Sequence, residues 1–135
     1  MQQSAAKLKA LGDPTRLRLA VLLAAHSDVC VCNLAESLGE AEFKISRHLG
    51  VMRASGLVEV RREGVWKYYR LARANGTFDA AMVRLLRICS KDDPALQADL
   101  ARLDDLRRRE SDPECAKHRR PSRSVLAARR KSSKD

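Results

Sequence analysis

Aromatic side chains are scarce in this chain. Its 135 residues include one Trp, two Tyr and two Phe, although 44% of residues are hydrophobic. Leu, Ala and Val must therefore fill the interior, a mixture that favours helices over a sandwich or barrel. No apolar run reaches the roughly 18 residues that a membrane-spanning helix needs, so no bilayer span is expected. The opening Met1-Gln2-Gln3-Ser4 lacks the basic and apolar segments of a secretory signal, and the cytoplasm is the compartment expected by default. His26, His48 and His118 show no metal-ligand spacing, and neither a Gly-rich phosphate loop nor a nucleophile with a nearby base is found. An enzyme is not expected. Cysteines number four, and in a reducing cytosol they are expected to be free thiols available as ligands.

Positive charge is plentiful but unevenly placed. The net of +10 divides into +3 over residues 1–106 and +7 over residues 107–135. A basic chain suits an anionic partner such as nucleic acid. Most of the excess lies in a terminal stretch rich in charge, Ser and Pro, and that stretch reads equally well as a solvated end. One folded domain is expected over residues 1–109, with 110–135 a largely disordered tail.

The punctuation of the first half is helical. Ala6 to Leu11 reads as a short helix closed by Gly12. Asp13-Pro14 supplies an N-cap and a first-turn proline for a helix running to Ala25. After a turn at His26-Ser27-Asp28, Asn33 to Leu38 reads as a short helix stopped by Gly39. Ile45, Leu49 and Met52 mark the buried face of another, roughly Ala41 to Ser55. The period then changes to two. Val58 to Arg61 and Trp66 to Leu71 read as strands around Arg62-Glu63-Gly64-Val65, where Gly64 supplies a positive φ. This outline is mainly α with a small β-hairpin, a winged helix-turn-helix. Phe78, Met82, Leu85, Leu86 and Cys89, then Leu96, Leu100, Leu103 and Leu106, form two further apolar stripes. They need a partner surface, and a second copy of the chain is the simplest, since a symmetric dimer matches a palindromic site.

With Ile45, Leu49 and Met52 buried, the opposite face of that helix presents Phe43 and Arg47, flanked by Ser46, Lys44 and Val51. Arg47 suits guanine edges, Ser46 bases or phosphate, Lys44 phosphate, and Phe43 a thymine methyl. His48 falls beside the buried stripe and reads first as a packing or hydrogen-bonding residue, second as a DNA contact. Arg61, Arg62 and Lys67 on the hairpin suit the DNA backbone or minor groove. The alternative for these three is blunting of an exposed strand edge.

Cys30-Val31-Cys32 lies just ahead of this helix pair. Thiolates prefer soft, thiophilic ions. On a helix, residues i and i+2 point about 200° apart, whereas in an extended segment they share a face. Chelation is therefore expected to unwind the start of the short helix and strain the recognition helix packed on it. Structural zinc wants four ligands at wider spacing. A Cys30–Cys32 disulfide closes a small ring, which makes thiol oxidation the lesser rival. Cys89 reads as a packing residue. Cys115 is a candidate further ligand, its thiol favoured for ionisation by Lys117, Arg119 and Arg120.

Several runs resemble the ArsR/SmtB family of metal-responsive repressors. Leu8 to Leu19 (LKALGDPTRLRL) is similar to its opening signature and Val29 to Leu34 (VCVCNL) to its metal-binding box. Lys44 to Leu49 (KISRHL) with Ala54 to Val58 (ASGLV) resembles its recognition helix and exit, and Gly64 to Leu71 (GVWKYYRL) its wing. The likeness covers roughly residues 5–90. It implies a homodimeric repressor that sits on double-stranded operator DNA, has no resident cofactor, and leaves when As(III) or Sb(III) binds Cys30 and Cys32. In the arsenic-sensing branch a third thiolate would fall at position 35, where this chain has Ala35. Cys115 or a small cytosolic thiol is left to complete the shell, and methylarsenite needs only two sulfurs. Cadmium, lead and thiol oxidation remain alternative signals. Ala41 stands where the family has the first serine of its recognition helix, with Glu42 after it.

Overall fold

The computed structural model describes residues 1–111. The chain runs α1 (Gln2–Leu11), α2 (Pro14–Ala25), β1 (Val29–Cys30), α3 (Val31–Leu38), α4 (Glu42–Ala54), β2 (Val58–Glu63), β3 (Trp66–Leu71), α5 (Thr77–Ile88) and α6 (Pro94–Ser111). The mainly helical winged helix-turn-helix read from the sequence is the fold observed.

Local signals set most boundaries. Asp13 caps α2, its Oδ2 accepting the Arg16 backbone N–H at 3.0 Å, with Pro14 in the first turn. That hydrogen bond holds the Asp13 carboxyl below its ordinary pKa. Gly39 ends α3 at φ +67°, a left-handed conformation that glycine adopts without penalty, and reverses the chain into α4. Gly64 at φ +61° does the same between β2 and β3.

The sheet has a strand that alternation did not reveal. β1 is only two residues long and pairs antiparallel with β3, Val29 opposite Tyr69 and Cys30 opposite Tyr68, giving the order β1-β3-β2. Two residues are too few to show a period. α3 also begins at Val31, two residues before the expected Asn33.

Leu19, Leu22, Val29, Leu34, Ile45, Leu49, Met52 and Leu57 form the fully buried centre, joining α2, α3, α4 and the sheet. α6 packs on α2 and α3, burying Leu96 and Leu103 with Leu100 partly covered. Part of its apolar face is thus covered within the chain. α5 buries Met82 and Leu86, but Phe78, Leu85 and Ile88 stay 38%, 55% and 46% exposed. Leu8 of α1 is also exposed, and Lys7 of α1 pairs with Asp79 of α5 at 2.8 Å. α6 continues through Ser111, past the boundary expected at residue 109. Residues 112–135, and with them Cys115 and most of the expected tail, lie outside the described residues.

A candidate nucleic-acid interface beside a thiol pair

α4 divides its side chains as its period requires. Ile45, Leu49 and Met52 are fully buried. Phe43 is 68% exposed, and Ser46, Arg47 and Val51 lie on the surface with it. Lys44 is half-buried and pairs with Glu40 at 3.1 Å. His48 turns toward the start of α2, its Nδ1 lying 3.4 Å from Arg16 Nη1 and 3.9 Å from Asp13 Oδ2. That is a hydrogen-bonding placement, held firm because Arg16 also donates to the Ala10 carbonyl at 2.7 Å.

Glu42 opens α4 behind Ala41, which offers no side-chain cap. Its side chain is buried, neither carboxylate oxygen has a hydrogen-bond partner, and burial raises its pKa. No pattern in the sequence marks this glutamate as buried, since a first-turn acid normally faces solvent and the helix dipole. A carboxyl whose folded pKa is raised binds its proton better folded than unfolded. Its ionisation therefore costs stability above the folded pKa, and that cost vanishes below the unfolded one. Glu42→Gln should stabilise the fold by about 1 kcal/mol at pH 7. The gain should shrink on acidification toward pH 4, as a melting series against pH would read.

The wing is cationic. Arg61 and Arg62 are exposed, and Lys67 is half-buried. Arg62 lies directly opposite Lys67 in the ladder. Like charges facing across strands repel, so the pair is better accommodated with an anion between them. Arg61 is more closely held. Its Nη1 donates to Glu63 Oε2 at 2.7 Å, its Cζ sits 4.7 Å from the centroid of the Tyr68 ring, and its Nε is 3.8 Å from Asp28 Oδ1.

Cys30 and Cys32 are joined, Sγ to Sγ, with their Cα atoms 5.4 Å apart. In this structure the two sulfurs are joined and not free, and they meet with α3 helical from Val31. Cys30 is the N-cap, extended at φ −71° and ψ 153°, whereas Cys32 is already in the first helical turn. The 200° separation on a helix applies only when both residues are helical. Cys30 Sγ also accepts the Asn33 backbone N–H at 3.4 Å, as a capping serine would.

The turn is clasped by α6. Asn33 Nδ2 donates to Glu110 Oε1, and Arg107 donates to the Ser27 and Asp28 carbonyls at 2.9 Å each. None of these partners was expected from the sequence, because they lie 77 to 80 positions away. Ala35 is buried in the core, so position 35 supplies no ligand. Among the described residues no cluster of three His, Cys, Asp or Glu side chains could hold a metal. Cys89 is a free thiol packed against the core, the role expected of it.

Residues 13–60 match the family described as bacterial regulatory protein, arsR family. An uncharacterized HTH-type transcriptional regulator of Methanocaldococcus jannaschii is 40% identical over 68 residues, covering 50% of this chain and 76% of the relative. The arsenical resistance operon repressor of Escherichia coli is 45% identical over 64 residues, 47% of this chain and 55% of the repressor. The chain thus spans about half the length of the arsenic-resistance relatives it matches. Among solved structures, a homodimeric winged helix-turn-helix DNA-binding domain from Mycobacterium bovis, described as a possible ArsR-family regulator, superposes with a TM-score of 0.55. It is 33% identical, over 67% of this chain and 80% of that one. The fold, the exposed cationic helix and wing, and these likenesses agree: the chain belongs to the arsR family of bacterial regulatory proteins, which are DNA-binding transcriptional regulators and not enzymes.

Proposed function

We propose that this chain represses transcription by binding double-stranded operator DNA as a homodimer in the cytoplasm, and that As(III) or Sb(III) at Cys30 and Cys32 releases it. Convergence of the two sulfurs at the start of α3, which packs on α4, carries the reading. In the reduced state each thiol can form a sulfur–arsenic bond by displacing one hydroxyl of arsenous acid as water. Soft thiolates suit such a centre. For a third sulfur we favour Cys115, because Glu110 at the end of α6 already reaches Asn33 and five residues span at most about 18 Å.

Phe43, Lys44, Ser46 and Arg47 would address the major groove and its flanking phosphates, with Arg61, Arg62 and Lys67 on the backbone as a wing, while His48, turned toward Arg16, would brace the helix against α2. The basic stretch beyond residue 111 would add phosphate attraction. Exposed Phe78, Leu85 and Ile88 of α5, with Leu8 of α1, supply an apolar face for the second copy.

One observation favours a second signal: the sulfurs are bonded to each other, so an oxidant acting on the two thiols is the rival inducer. A duplex selected by the purified chain from a random pool separates the two. Under excess reductant, arsenite should lower its affinity at least tenfold, a coupling of about 1.4 kcal/mol. If only an oxidant releases the duplex, the metalloid reading fails and the oxidation reading stands.

A further inference from the structure

Because α3 stays helical from Val31 while the two sulfurs are joined, a bridge between them need not reach α4 by unwinding α3. The adjoining chain on the other side is β1. Cys30 belongs to this strand and pairs with Tyr68 of the wing. The Tyr68 ring carries Arg61, with the guanidinium carbon 4.7 Å from its centroid. Asp28, two residues before Cys30, holds the left-handed φ of +53°, the only non-glycine among the described residues to do so. Its Oδ1 is buried without a hydrogen bond and faces Arg61 Nε at 3.8 Å. The remaining carboxylate on this guanidinium is Glu63, at 2.7 Å.

We propose that Asp28 and Tyr68 latch the wing arginine to the thiol turn, so that bridging Cys30 and Cys32 draws Arg61 onto the protein and away from DNA. This rests on the reading that the pair receives the signal, and it adds a route from the pair to the wing. The structure holds the joined form of the pair, with Arg61 within 3.8 Å of Asp28 and over the Tyr68 ring, and a shift of about 1 Å in the turn when the pair opens would break that ion pair. A DNA phosphate competes for the same guanidinium. The two states of the turn thus differ in free energy according to which anion Arg61 faces, the differential interaction that coupling requires.

The chain contains one tryptophan, Trp66, at the start of β3 opposite Glu63. Its emission reports the wing directly, without DNA. Wild type should show distinct emission in three forms: thiols kept open by dithiothreitol, thiols loaded with arsenite, and thiols joined by diamide, which takes up their two electrons and two protons. Asp28→Asn keeps the size of the side chain, and asparagine tolerates positive φ at least as well. In this variant the emission change should be lost while bound arsenic per chain is retained. Release of the selected duplex on bridging should also weaken by about two- to fivefold, the range of an exposed ion pair. The latch is overturned if wild-type emission is the same in all three forms, or if Asp28→Asn responds as wild type does. A wild type that binds no arsenic yet responds to diamide sinks the arsenite reading alone and supports the latch.

Discussion

Replacing Cys30 or Cys32 by serine should abolish arsenite-driven release while leaving operator affinity within about twofold of wild type. The fold tolerates the change at Cys30 because its sulfur serves as an N-cap acceptor for Asn33, a position where a serine oxygen is preferred. Cys32 is half-buried in the first turn of α3 and accepts no backbone hydrogen bond that a hydroxyl would lose. Neither residue lies on the exposed face of α4 or on β2. A hydroxyl is a hard, un-ionised ligand and a poor replacement for a thiolate on a soft centre. Bound arsenic per chain, measured after dialysis, should fall together with release. Release by arsenite that persists in both variants would place the receptor elsewhere, and loss of DNA binding in both would make the pair structural.

The largest effect on stability is expected at Asp99. Its carboxylate is 1% exposed and receives Arg18 bidentately, from Nε and Nη2 at 2.8 Å each, and Arg102 Nη2 at 2.6 Å. Arg18 also reaches the Leu38 carbonyl at 3.3 Å and Arg102 the Ser37 carbonyl at 2.6 Å. One carboxylate therefore ties α2, the end of α3 and α6 together. The Asp99 hydrogen bond raises the Arg18 pKa further, so the guanidinium stays charged. Asp99→Ala leaves two cations facing each other around a small void. Both arginines are partly solvated, which keeps the cost below that of a fully buried pair, at about 2–3 kcal/mol. For a domain of this size that lowers the melting temperature by roughly 8–12 °C. Asp99→Asn should recover part of the loss by keeping the volume and one acceptor. A melting point within 2 °C of wild type would mean that this carboxylate does not hold α6.

Much of the architecture was legible because its signals are local. Asp13-Pro14 starts α2, Gly39 reverses the chain between α3 and α4, and Gly64 turns the hairpin, each through the conformational preference of a single residue and its immediate neighbours. The division of α4 into a buried Ile45, Leu49 and Met52 face and an exposed Phe43, Ser46 and Arg47 face follows from helical period alone. The readings that changed are those whose partners are remote. β1 is a strand only because β3 lies beside it. The stripe on α6 reads as leucines 96, 100, 103 and 106, yet the position buried between Leu96 and Leu103 is Asp99, tolerated there only because Arg18 and Arg102 meet it. The direction of His48 depends on Arg16, and Glu42 is buried by neighbouring elements that pack around the head of α4.

By itself the sequence determined the order of helices and hairpin, the exposed face of α4 with its Arg47 and the adjacency of two thiols. Those properties depend on neighbours within one or two turns. Only the tertiary structure decided that Cys30 stands outside the helix that contains Cys32, that α6 closes over their turn, and that the turn is a strand partner of the wing. Each of these depends on pairing between segments about 40 to 80 residues apart. Pairing at that distance is set by how the whole chain buries its apolar surface.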